Sequence, residues 1–167
     1  FNGLMTAAIM AAGTGLAGYF DLFPGADIFT KFGRAAGTFK DPNVFGPFLV
    51  PSILYALHKA LDGPLKRILA PLGLTGFLSM AVLLSFSRGA WINLLVSLAL
   101  YLWLTYVTAD SHARRQKVSF LAISGIALIT AGVAGILQNE RVLDLMQERA
   151  SVTQNYDVGP EGRFGGQ

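Results

Sequence analysis

Arg88 stands in Ser87-Arg88-Gly89-Ala90-Trp91 and is the only charged residue between Ile68 and Ala109. A planar guanidinium donates paired hydrogen bonds and therefore suits phosphate oxygens better than an ammonium does. Within so apolar a stretch, the charge has two uses. It can snorkel to lipid headgroups, with Trp91 as an interfacial anchor. Alternatively it faces a cavity and pairs with an anion, since charges within membrane spans are costly and often mark substrate paths.

A second grouping runs Arg34-Ala35-Ala36-Gly37-Thr38-Phe39-Lys40-Asp41-Pro42-Asn43-Val44-Phe45-Gly46. Asp41, Pro42 and Asn43 read first as a turn and helix cap, with Asp41 of N-cap type and Pro42 at the first helical position. Arg34 and Lys40 either meet lipid headgroups or join Arg88 in lining a basic pocket for a phosphate-bearing substrate. A third grouping, Gly162-Arg163-Phe164, reads by itself as an exposed loop arginine. The nearby acids Asp157 and Glu161 sit in polar loop sequence and receive no catalytic role.

No catalytic residue is assigned within the chain. The two histidines, His58 and His112, fall next to basic links on the side away from Arg88 and Arg163, which makes neither a general base for chemistry beside Arg88. Cysteine is absent, so thiolate metal sites and disulfides are unavailable. No metal or cofactor is expected. The net charge of +3 is modest and dispersed, which argues against nucleic acid as a partner.

The elements that must position these residues are membrane spans. At 53% hydrophobic and 14% charged, with a positive mean hydropathy, the 167 residues carry too little polar surface for a water-soluble globule. The expected fold class is all-α, a polytopic transmembrane helical bundle of about five spans: residues 1–20, 42–58, 68–87, 89–109 and 118–139. Spans three and four form a hairpin with Arg88 at or near its turn. Pro47 and Pro51 are expected to bend or loosen the early turns of span two.

Residues 1–139 thus make a bundle segment and residues 140–167 begin a large outer loop. Val142, Leu143, Leu145 and Met146 recur there at helical spacing, which predicts a short amphipathic helix. The chain opens within apolar sequence without a Met and stops at Gly-Gly-Gln, so it is expected to be a piece of a longer membrane protein. The compact basic links, with Lys59, Lys66 and Arg67, then Arg114, Arg115 and Lys117, belong on the cytoplasmic face. The loop over 21–41, the Arg88 turn and the tail then face outward, toward the periplasm.

Taken together, the Arg-x-x-Gly-x-Phe-x-Asp-Pro-Asn-x-Phe-Gly pattern at Arg34 to Gly46, Ser-Arg-Gly-Ala from Ser87, and Gly162-Arg163 in the next outer loop resemble the O-antigen ligase family. That family shares its core with O-antigen and exopolysaccharide polymerases. The resemblance implies a bacterial inner-membrane glycosyltransferase that takes a glycan from an undecaprenyl diphosphate donor at the periplasmic face. Ligases pass it to lipid A core and polymerases to another lipid-linked unit; no metal is needed.

Two family arginines match Arg88 and Arg163, which would bind the diphosphate, with Arg34 and Lys40 as further substrate-binding candidates. Asp41, Pro42, Asn43, Ser87 and Gly89 belong to the motifs. The family's general-base histidine would follow the end of this chain, so the piece alone is expected to be inactive. Two other classes stay open: a transporter or channel with Arg88 in an anion pathway, and a structural assembly subunit that would tolerate loss of both arginines.

Overall fold

The computed structural model describes residues 2–64 and 67–137. Arg163, Asp157, Glu161, Lys66 and the amphipathic helix expected after residue 140 lie outside the described residues. The chain divides into two units, Phe1–Ser119 and Phe120–Gln167. The second is described only through Leu137, as the continuation of a helix whose Phe120, Ile123 and Ile126 are exposed.

The described chain is mostly helical. Helix α1 spans Asn2–Tyr19, α2 Pro42–Asp62, α3 Leu69–Leu84, α4 Arg88–Val107 and α5 His112–Leu137. Among the described residues, α2 and α4 are long and apolar enough to cross a membrane, by length and composition. Helix α3 carries no charged residue but is only 16 residues long.

Helix α2 is the centre of the first unit. It packs against α3, α4 and α1, and its Phe45, Leu49 and Ile53 are fully buried beside Ala8 and Ala12 of α1 and Leu78 and Val82 of α3. Helix α4 lies at the margin. Its Ile92, Leu95, Val96, Leu100, Trp103, Leu104 and Val107 are all exposed. A continuous apolar surface of this kind suits hydrocarbon better than water.

Several boundaries differ from those read in the sequence, each for a local reason. Helix α2 runs a full turn past His58 because His58 pairs with Asp62 at i+4, and it stops at Gly63. Both Pro47 and Pro51 are accommodated within it. Helix α3 ends at Leu84, leaving Ser85 to Ser87 as the turn, and Arg88 is the first residue of α4. The basic stretch 112–117, expected as a link, forms the opening turns of α5.

The loop over 21–41 is also more ordered than expected. It holds a short 3-10 turn, Ala26–Phe29, and a hairpin of β1 (Thr30–Lys31) with β2 (Arg34–Ala35). Phe32 and Gly33 both have positive φ, the conformation of a type I′ turn, whose twist matches that of the paired strands.

The two basic links meet. The Lys117 ammonium donates to the carbonyls of Leu61 (2.8 Å) and Gly63 (2.7 Å), and the Arg114 guanidinium pairs with Asp62 at 2.8 Å. A cation at the end of α2 satisfies carbonyls that have no intrahelical donor and complements the helix dipole. Lys117→Met should therefore cost about 1–2 kcal/mol. A lower unfolding temperature in detergent, partly restored by Lys117→Arg, is the expected result.

Candidate functional site

The two described motifs come together at the opposite end of α2 from these links. Asp41 is the N-cap of α2, its carboxylate accepting from the backbone N–H of Asn43 at 2.8 Å, with Pro42 as the first helical residue. Ser87 is the N-cap of α4, its hydroxyl accepting from the N–H of Ala90 at 3.3 Å. The first turns of the two helices are in contact: a Cβ built on Gly46 would lie 2.5 Å from the Ala90 methyl and 3.0 Å from the Ser85 hydroxyl. Two helix N-termini, each carrying partial positive charge, thus lie side by side.

The motif glycines explain this approach. Gly46 allows α2 to touch the turn between α3 and α4. Gly37 has φ of 57°, and a side chain there would strike the Ala11 carbonyl of α1 at 2.4 Å and the Phe45 ring at 2.9 Å. Gly46→Ala should push α2 off α4 and cost about 1–3 kcal/mol. Thermal unfolding in detergent checks this, with Gly89→Ala as the comparison, because a Cβ on Gly89 meets nothing within 4 Å.

The arginines of the two motifs play different parts. Arg34 is only 8% exposed. Its Nε donates to the Ser85 carbonyl at 2.7 Å and its Nη2 to the Asn43 amide oxygen at 3.0 Å. Ser85 ends α3, so this cation sits where a helix C-terminus favours it. Arg88 is the reverse case. It is exposed, makes no hydrogen bond or ion pair among the described residues, and occupies the first turn of α4, where the dipole disfavours a positive charge.

Lys40 is likewise exposed and lacks a polar partner among the described residues, one residue before the α2 cap. Lys40 stands beside the N-terminus of α2 as Arg88 does at that of α4, and both helix ends favour an anion. The structure thus brings together Arg34, Lys40, Asp41, Pro42, Asn43, Ser87, Arg88 and Gly89. Arg163 lies outside the described residues.

Between the two motifs lies a turn that the sequence did not single out. Phe86 has φ of 46°, in the left-handed region that a bulky residue enters at a cost of about 1–2 kcal/mol. Its ring lies against Tyr19 and Trp91, with centroids 6.3 and 6.2 Å apart. The Trp91 indole N–H is shared between the carbonyls of Val82 and Leu83, at 3.3 and 3.2 Å. It therefore fastens α4 to the last turn of α3, a more specific role than membrane anchoring.

His58 is remote from this site, sixteen residues or about 24 Å along α2 from Pro42. Its ring bridges the Tyr101 hydroxyl (3.0 Å) and the Asp62 carboxylate (3.1 Å). His112 is exposed at the start of α5. Among the described residues, no three His, Cys, Asp or Glu side chains gather as a metal-ligand group. Comparison with known proteins finds no matching family model, no matching curated protein and no matching solved structure.

Proposed function

We propose that this chain is part of a membrane glycosyltransferase of O-antigen ligase type. It takes a glycan from an undecaprenyl diphosphate donor and passes it to lipid A core; in a polymerase of the same family, the acceptor is another lipid-linked unit. The observation that carries this reading is the pairing of unpartnered Arg88 and Lys40 with two adjacent helix N-termini. Arg88 also belongs to the motifs that carry the family resemblance, and the two cations are separated in sequence by all of α2 and α3.

On this reading all five helices cross the bacterial inner membrane. The Arg88 end faces the periplasm, and the linked ends bearing Lys117 and Arg114 face the cytoplasm. Helix α3, about 24 Å long, crosses with its flanking turn residues and some local thinning of the bilayer. Residues 140–167, Arg163 among them, begin the periplasmic loop.

The chemistry follows from charge. Breaking the sugar–phosphate bond leaves negative charge on the diphosphate, and donors already aimed at it lower the barrier without reorganising. Arg88 and Arg163 supply paired donors, Lys40 a point charge, and the α2 and α4 ends fixed dipoles. His58 is too distant to activate the acceptor hydroxyl. That role falls to a histidine beyond this chain, as the resemblance implies.

The test is glycan transfer by the full-length protein in liposomes, given the lipid-diphosphate donor and either lipid A core or a second lipid-linked unit. Transfer that requires Arg88 and Arg163 supports the reading, and the preferred acceptor separates ligase from polymerase. A folded protein that transfers to neither acceptor would contradict it and point to anion transport.

A further inference from the structure

We propose that Arg34 is a positioning residue, a lock that ties the α2 cap to the α3–α4 turn and thereby aims Arg88; this rests on the functional reading above. The Arg34 fork spans two elements at once, the Ser85 carbonyl at 2.7 Å and the Asn43 amide oxygen at 3.0 Å. These acceptors flank the two helix N-termini at which the substrate anion is placed. A guanidinium holds both in one plane, whereas a lysine ammonium on a flexible stem does not reproduce the fork.

The turn that Arg34 holds needs holding. Phe86 sits in a left-handed conformation that strains a bulky side chain and persists only where its surroundings impose it. Just before it, the Ser85 hydroxyl donates to the Val82 carbonyl at 2.6 Å and accepts from the Ser87 N–H at 3.3 Å. Ser87 in turn caps α4, and Arg88 follows immediately. A continuous path of hydrogen bonds and main chain therefore runs from Arg34 through Ser85 and Ser87 to Arg88.

Arg34 is buried and committed to these acceptors, while Arg88 is exposed and unpartnered. The two arginines are thus divided between holding the site and contacting the substrate. Removing the lock should loosen the turn, so that Arg88 samples orientations in which it misses the diphosphate. The loss must then act through Arg88 and not add to the loss of Arg88 itself.

The experiment uses the full-length protein in liposomes, on a cysteine-free background, with a nitroxide label attached through Gly89→Cys, a position open to added atoms. Label mobility is read by electron paramagnetic resonance, and glycan transfer is read on the unlabelled counterparts. Arg34→Lys is expected to mobilise the label and lower transfer about tenfold or more. In the double variant with Arg88→Ala, transfer should equal that of Arg88→Ala alone. Arg115→Ala, at the far end of the first unit, should change neither readout.

An immobile label combined with multiplying losses would overturn the proposal and make Arg34 a substrate contact. Should Arg34→Lys not insert, Asn43→Ala removes one arm of the fork and decides the same question through the same label. If the wild-type protein transfers no glycan, the functional reading falls. The label still reports on the lock by itself, and unchanged mobility in Arg34→Lys would sink it.

Discussion

Replacing Arg88 with alanine is expected to lower glycan transfer by about 10²–10³-fold, the range for removing one donor aimed at developing charge. Stability should move the other way or not at all. Arg88 has no polar partner among the described residues and lies at a helix end that disfavours its charge, so its loss gains up to about 1 kcal/mol. Opposite movements of activity and stability identify a residue kept for a ligand. Arg88→Lys should recover only part of the activity, since it keeps the charge and loses the paired geometry. Parallel measurement of transfer and thermal unfolding checks both halves; if the alanine variant unfolds early while retaining transfer, Arg88 serves the fold.

Phe45→Ala is expected to be the most damaging single change to the fold, at about 3 kcal/mol. Phe45 is wholly buried, lies 6.1 Å from the Phe39 ring between centroids, and fills the space that the missing side chains of Gly15 and Gly37 leave open. In a bilayer the gain from leaving water is reduced, yet the cavity left behind still forfeits its packing contacts. The gap would release the Gly37 loop from α1 and, with it, the strand that carries Arg34. Transfer should therefore fall together with the unfolding temperature, and Phe45→Leu should lose about half as much stability. An alanine variant with unchanged unfolding would contradict this view of the core.

The helices were legible because long charge-free runs leave few alternatives, and Asp41-Pro42 marked the start of α2 through ordinary capping chemistry. The opening of α5 was missed because Arg114, Arg115 and Lys117 look like a loop when read alone. Arginine and lysine are good helix formers, and here Arg114 and Lys117 reach back to Asp62 and the Leu61 and Gly63 carbonyls. That pairing spans more than fifty residues of sequence, beyond the reach of any local pattern.

At the site, the residue types were visible and their burial was not. Arg34 and Arg88 read alike as phosphate ligands, since nothing local reveals that one is buried against Ser85, 51 residues away. The left-handed Phe86 could not be anticipated, because a bulky aromatic is a poor choice for that conformation and only its surroundings impose it. The hairpin over Thr30–Ala35 escaped for a simpler reason. Strands of two residues leave no alternation to detect.

The most direct test of the central claim is to locate the diphosphate on the protein. A lipid-diphosphate donor analogue carrying a photoreactive group beside the phosphates would be bound to the full-length protein in liposomes, irradiated, and mapped by peptide mass spectrometry. The account predicts adducts on the segments around Lys40 to Asn43 and Ser87 to Gly89, suppressed by unlabelled donor and reduced in Arg88→Ala. Competable adducts confined to the opposite end, around His58, Asp62 and Arg114, would contradict it.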